Sequence, residues 1–183
     1  SLTPGAPVRL LTVARLVEKK GLDYSVRAVA RLAQQVPSVE YDIVGEVPLR
    51  AEIEALIKRL DLEKVVHLRG DRTQAEVRTA MEQAHIFILA SVTGQNGDTE
   101  GQGLSLQEAQ ASGLPVVATR HNGFVEGVKD GLSGFLVPER DAGALADRLL
   151  YLINHPEIWP TMGRAGRAHV EDGHAHRRRL VGR

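Results

Sequence analysis

The chain has 183 residues, enough for one ordinary domain to bury a core without covalent staples, because the buried fraction rises with size. It contains no cysteine, which excludes a disulfide framework, thiolate metal sites and a cysteine nucleophile, and which suits a reducing compartment such as the cytoplasm. Lys plus Arg (23) balance Asp plus Glu (23), so no global field draws in nucleic acid or anionic lipid, and any anion binding has to come from local groups.

The first run of strand character is Val8–Val13, with only Ser1–Pro7 in front of it, too little for another domain. The N-terminus lacks the charged start and apolar stretch of a signal peptide. After this run comes Ala14 to Gly21, where Arg15, Lys19 and Lys20 precede a helical segment. A helix N-terminus itself favours anions, so the combination suits a diphosphate. Arg15 can offer a forked pair of donors and Lys20 a mobile point charge. The plainer reading is that they are surface cations.

Val39–Val44 is the second strand candidate, followed by a helical stripe of Ile53, Leu56, Ile57 and Leu60. Lys64–Leu68 is the third, after which Thr73 and Glu76 form a capping box for a helix with Val77, Ala80, Met81 and Ala84 on one face. Ile86–Ala90 is the fourth. It is the kind of short apolar run that recurs here, far below the roughly 20 residues needed to span a bilayer.

Beyond it lies Thr99 to Glu108, in which Gly101 and Gly103 sit at a helix start. Lacking side chains, they let a ligand touch the backbone, and the N–H groups near Gly103, Leu104 and Ser105 can bind phosphate oxygens. Glu100 enters from the loop side. Glu108, about one turn into the helix, leans back toward its start and can accept two hydroxyls of a ribose. Taken alone, it would read as an exposed helical carboxylate.

Gly113 with Pro115 ends this helix, and Pro115–Thr119 and Gly134–Val137 are the last strand candidates. Between them His121 and Asn122 read most simply as a polar loop tip. Asp141 precedes a stripe of Ala142, Leu145, Ala146 and Leu149. From 171 to 183 the run His174, His176, Arg177, Arg178, Arg179 has no apolar periodicity and reads as a disordered basic tail, which leaves 1–170 as the domain. Two histidines on such a tail lack the remaining ligands of a metal site.

Continuous apolar strands alternating with helices predict an α/β domain, a doubly wound Rossmann-like parallel sheet of about six strands. Ligands of such sheets bind at the strands' carboxyl ends. The strings of a nicotinamide oxidoreductase (G-x-G-x-x-G after the first strand) and of a P-loop hydrolase (G-x-x-x-x-G-K-S/T) are both missing. Ala14 and Arg15 stand where a phospho-accepting signalling module would carry acids.

Glu100 and Glu108 stand eight apart within EGQGLSLQEAQASGLPVVAT, which resembles the signature of the retaining glycosyltransferases of family 4, or group 1. LLTVARLVEKKGLDYSVRA resembles that family's first strand and phosphate loop, VGEVPLR its second-strand turn, and VKDGLSGFLVPERD its late strand and helix entry. The resemblance covers about residues 8 to 170. It is closest in feel to enzymes making bacterial exopolysaccharides, because the 91–98 loop is longer than the family's common form.

The resemblance implies one half of a GT-B architecture, the C-terminal half that holds a nucleoside-diphosphate sugar linked to uridine or guanosine. By the family's pattern, Arg15 and Lys20 would bind the donor diphosphate and Glu108 the ribose. Glu100, Gly101, Gln102, Gly103 and Leu104 would contact the sugar and distal phosphate, and the base would rest near Gly45, Arg69 and Gly70. Gln102 replaces the aromatic residue of many relatives, and His121 and Asn122 replace small ones. The implied reaction is transfer of a hexose to a carbohydrate or lipid-linked acceptor with retention, in the cytoplasm, with no cofactor or metal and no nucleic acid. The acceptor and any peripheral membrane contact would belong to an N-terminal domain outside this chain, without which the chain would be inactive. A nucleotide-sugar epimerase of related fold, or a binding module with no transfer role, is the alternative.

Overall fold

The computed structural model describes residues 4–13, 21–46, 50–91, 100–120 and 126–182, with backbone only at 100–103. Six parallel strands form one sheet: β1 (Val8–Val13), β2 (Val39–Val44), β3 (Val66–Gly70), β4 (Ile86–Leu89), β5 (Val116–Thr119) and β6 (Gly134–Val137). Their spatial order is β3-β2-β1-β4-β5-β6, and every adjacent pair runs parallel. The chain therefore builds outward from β1 to one edge, returns to β4, and builds to the other edge. This is the doubly wound α/β fold expected from the sequence.

The helices are α1 (Leu22–Ala33), α2 (Arg50–Arg59), α3 (Gln74–Gln83), α4 (Glu100–Ala111), α5 (Ala142–Asn154) and α6 (Trp159–Val181), with a 3-10 turn at Pro156–Ile158. Successive strand residues point to opposite faces, so each face collects its own core. Leu10, Tyr41, Ile43, Ile86 and Ile88 pack with apolar residues of α1, α2 and α5 on one side. Leu11, Val44, Phe87, Leu89 and Val116 pack with Val77, Met81 and Leu106 on the other. Burial on both faces explains why the strands read as continuous apolar runs.

Local punctuation behaves as its chemistry dictates. Thr73 and Glu76 form the reciprocal capping box, and the Asp141 carboxylate accepts from the Ala144 N–H. Gly113, at φ 79°, closes α4 in the left-handed conformation, its N–H donating to Gln110 O and that of Leu114 to Ala109 O.

Two expectations shift. The third strand spans Val66–Gly70 instead of Lys64–Leu68, because the N–H groups of Val65 and Val66 both donate to Leu62 O and hold that stretch in a turn, while Tyr41 pairs with Val66. The basic segment from residue 171 is helical to Val181, not disordered, although its side chains are almost all exposed. Extending a helix already nucleated over Trp159–Gly166 needs only one residue fixed per new hydrogen bond, and Ala, Arg and Leu are good helix formers.

Candidate functional site

The strand order reverses between β1 and β4, the place where a doubly wound sheet offers a ligand crevice beyond its carboxyl strand ends. The rim of that crevice is built from polar side chains buried under it. Thr12 Oγ1 on β1 donates to Ile88 O on β4 at 2.7 Å and shares a hydrogen bond with the Tyr41 hydroxyl on β2. Thr119 Oγ1, at the end of β5, donates to Ser91 O just past β4 at 2.6 Å. Three strand ends are thus tied at one level. Apart from Thr12 and Thr119 the rim strands read as apolar, and nothing local in the sequence pairs 119 with 91.

Helix α1 starts at the same rim. Its N-cap, Gly21, packs against the backbone of Ala90 so closely that a Cβ there would stand 1.7 Å from the Ala90 carbonyl oxygen. Arg15 and Lys20 lie outside the described residues, as do residues 92–98 and His121 and Asn122. The ends flanking Arg15 and Lys20, Val13 and Gly21, both lie at the rim.

Helix α4 begins at Glu100, so Glu100 is helical rather than a loop residue, and Gly101, Gln102 and Gly103 occupy the first turn. Glu108 consequently lies more than two turns in, farther than the single turn the sequence suggests. At 1.5 Å per residue the two positions are separated by about 12 Å along the axis, the scale of an elongated ligand rather than of one shared contact. Leu104 and Glu108, four apart, share a helix face. Leu104 is 51% exposed although apolar, and Glu108 is half-buried and engaged in an interaction of its own. The opposite face, with Ser105, Leu106, Ala109 and Gln110, is fully buried.

At the β3 side of the rim, Gly45 and Gly70 come together, with Gly45 N donating to Gly70 O at 2.8 Å. Arg69 turns its guanidinium back along the sheet, with Nε 3.1 Å from Asp42 Oδ1. Arg69 and Asp42 line a groove of about 360 Å³ with Val44, Arg72, Glu76 and Thr79, between the β2–β3 flank and α3. Glu126 is exposed, and its carbonyl accepts from His169 Nε2 at 2.7 Å. The sequence reading passed over His169 and the buried amide of Gln110. A lone amide on an otherwise apolar helix face was the one available signal.

A six-stranded parallel sheet whose order reverses between β1 and β4, with helices on both faces, defines the class of Rossmann-like α/β domains. Residues 2–169 match the family model of the glycosyl transferases group 1, and the chain belongs to that family. It is 43% identical over 166 residues to the amylovoran biosynthesis glycosyltransferase AmsK of Erwinia amylovora, covering 90% of this chain and 40% of AmsK. It is 34% identical to a GDP-mannose-dependent phosphatidylinositol monomannoside mannosyltransferase of Mycolicibacterium smegmatis, over 86% of this chain and 42% of the relative. The chain thus spans about two fifths of the length of these relatives. Its fold matches Anabaena HepE, crystallised with UDP and glucose, at a TM-score of 0.78 and 24% identity, over 91% of this chain and 44% of HepE. No helix among the described residues is long and apolar enough to cross a membrane.

Proposed function

We propose that this chain is the donor-binding half of a retaining glycosyltransferase that moves a hexose from a nucleoside-diphosphate sugar to a carbohydrate or lipid-linked acceptor. The observation that carries the reading is the reversal between β1 and β4, with both flanks of the Arg15–Lys20 loop, Val13 and Gly21, at that rim. Arg15 and Lys20 bind the diphosphate there, and the backbone N–H groups of Gly101 to Leu104 face the distal phosphate and sugar together with Glu100 and Gln102. Glu108 takes the ribose hydroxyls, and the base rests by the paired turns of Gly45 and Gly70 beside Arg69. Leu104, exposed in the free chain, becomes covered by the ligand.

As the sugar departs, positive charge develops at the anomeric carbon and negative charge on the leaving phosphate. In this reading Arg15, Lys20 and the helix starts supply the donors that stabilise that negative charge, which is how a dry cleft lowers such a barrier without a metal. UDP and GDP conjugates are the donors this reading admits, and the cytoplasm, where such donors are made, is the compartment. Titration calorimetry of the chain against UDP, GDP and ADP tests the reading, with saturable binding of a uridine or guanosine diphosphate expected. Binding of none of them would overturn it. Acceptor-dependent turnover by the full-length protein separates a transferase from an epimerase or a silent binding module.

A further inference from the structure

The basic run at the end of α6 takes no part in the donor site. Helix α6 buries Trp159, Met162, Gly163 and Gly166 against the domain, and His169 Nε2 still reaches Glu126 O at 2.7 Å. Beyond that bond the helix runs on alone. From Glu171 to Val181 it extends about 15 Å at 1.5 Å per residue, and every residue from His174 to Gly182 is exposed.

This stretch carries charge of one sign. Its last acids are Glu171 and Asp172, and Glu171 Oε1 already meets Arg167 Nε at 3.5 Å. After them come His174, His176, Arg177, Arg178 and Arg179, with no acid anywhere in 173–183. Among the described residues none of the three arginines has an ion pair. Leu180 and Val181 follow directly, 64% and 87% exposed, and Arg177 shares a helix face with both. The negative end of the helix dipole favours a cation in the last turn, but it asks for neither three in succession nor two aliphatic side chains in water beside them.

We propose that the end of α6 is a docking element for an anionic phospholipid surface: Arg177, Arg178 and Arg179 meet the lipid phosphates while Leu180 and Val181 enter the acyl boundary beneath them. Complementary charge and the aliphatic pair select this partner together. A nucleic acid would engage the arginines but leave Leu180 and Val181 in water, and residues 171–183 hold no Phe, Tyr or Trp on which a base could stack. Because the whole chain is formally neutral, the attraction comes from this cluster alone. Donor binding plays no part in the role. A membrane contact then lies within this chain, where the family resemblance implied one only beyond it.

The test is cosedimentation with vesicles of phosphatidylglycerol mixed with phosphatidylcholine, and with vesicles of phosphatidylcholine alone. The chain should bind the mixed vesicles, less tightly as salt rises, and leave the neutral ones. An arginine near such a surface contributes about fivefold in partitioning, so the triple variant Arg177→Gln, Arg178→Gln, Arg179→Gln should bind about a hundredfold more weakly. Glutamine is as good a helix former as arginine, and circular dichroism should stay as in wild type. The corresponding triple lysine variant keeps the charge and should bind close to wild type. Leu180→Ser with Val181→Ser should bind about tenfold more weakly and keep the salt dependence. In the full-length protein the glutamine substitutions should lower the membrane-bound fraction. Absence of binding by wild type, wild-type binding by the glutamine variant, or an unchanged membrane-bound fraction of the full-length protein would overturn the docking role. So would wild-type binding by the serine variant or equal affinity for heparin, either of which would reduce the cluster to a general polyanion site. Nucleotide titrations read the donor site separately from all of these.

Discussion

Gly21 and Ala90 are in backbone contact: the N-cap of α1 sits where any side-chain carbon would meet the Ala90 carbonyl oxygen at 1.7 Å. This contact locks the end of the Arg15–Lys20 loop to the end of β4 across the switch point. Gly21→Ala has to push α1 away from the rim, and overpacking of that kind costs about 1–3 kcal/mol. The expected result is a lower Tm and weaker nucleotide binding in the same variant. A Tm equal to wild type would show that the contact yields freely and positions nothing.

Removing the two loop cations separates the phosphate assignment from a bland surface. A charged hydrogen bond contributes roughly 1.5–3 kcal/mol, so Arg15→Ala is expected to weaken nucleoside-diphosphate binding about ten- to a hundredfold, and Lys20→Ala by a similar factor. Calorimetry reads the change directly. Wild-type affinity in both variants sinks the assignment.

Glu108 offers a test by ligand rather than by protein alone. If its carboxylate accepts both ribose hydroxyls, Glu108→Ala weakens ribonucleotides more than the 2′-deoxy analogue, which keeps only the 3′ hydroxyl to lose. Equal losses for both ligands would refute the contact.

At the other end of the sheet, His85 Nδ1 accepts from Arg9 N–H at 2.9 Å and its ring lies 5.4 Å from that of Trp159. Burial holds this imidazole below its ordinary value, and nearby positive charge, Arg9 included, adds to the effect. Since the unfolded chain then binds the proton more readily, stability is full above about pH 6.5 and falls as pH drops through the window between the unfolded and the lower folded value. Denaturant midpoints measured from pH 7.5 to 5 should decline more steeply for wild type than for His85→Gln. Parallel declines would contradict the account.

The alternation of strand and helix was legible because both faces of the sheet are buried, which writes each strand as an unbroken apolar run, and because Thr73, Asp141 and Gly113 mark helix ends by local chemistry. What stayed hidden is what acts across distance. Gly21 against Ala90, Thr119 with Ser91, and Gln110 with Gly127 join residues that no local window relates. Helix bounds were blurred for a different reason. Glu100, next to two glycines, reads as a loop residue, yet α4 begins with it, and the exposed basic end of α6 is helical by extension rather than by burial.

The last prediction concerns turnover. The chain spans 40% of AmsK, and each candidate group serves the donor, so the expectation is that the chain alone binds donor and transfers no sugar, while the full-length protein does. Without a facing domain the crevice stays open, water solvates the leaving phosphate, and no surface holds an acceptor in line for attack. Orientation of two reactants can supply roughly 7–11 kcal/mol of barrier lowering, so its loss reduces transfer to background even with donor fully bound. Donor consumption is to be measured for the chain and the full-length protein under one set of conditions, with lipid-linked and soluble sugar acceptors. Comparable turnover by the chain would mean that the catalytic site is complete within it, and the half-enzyme reading would fall.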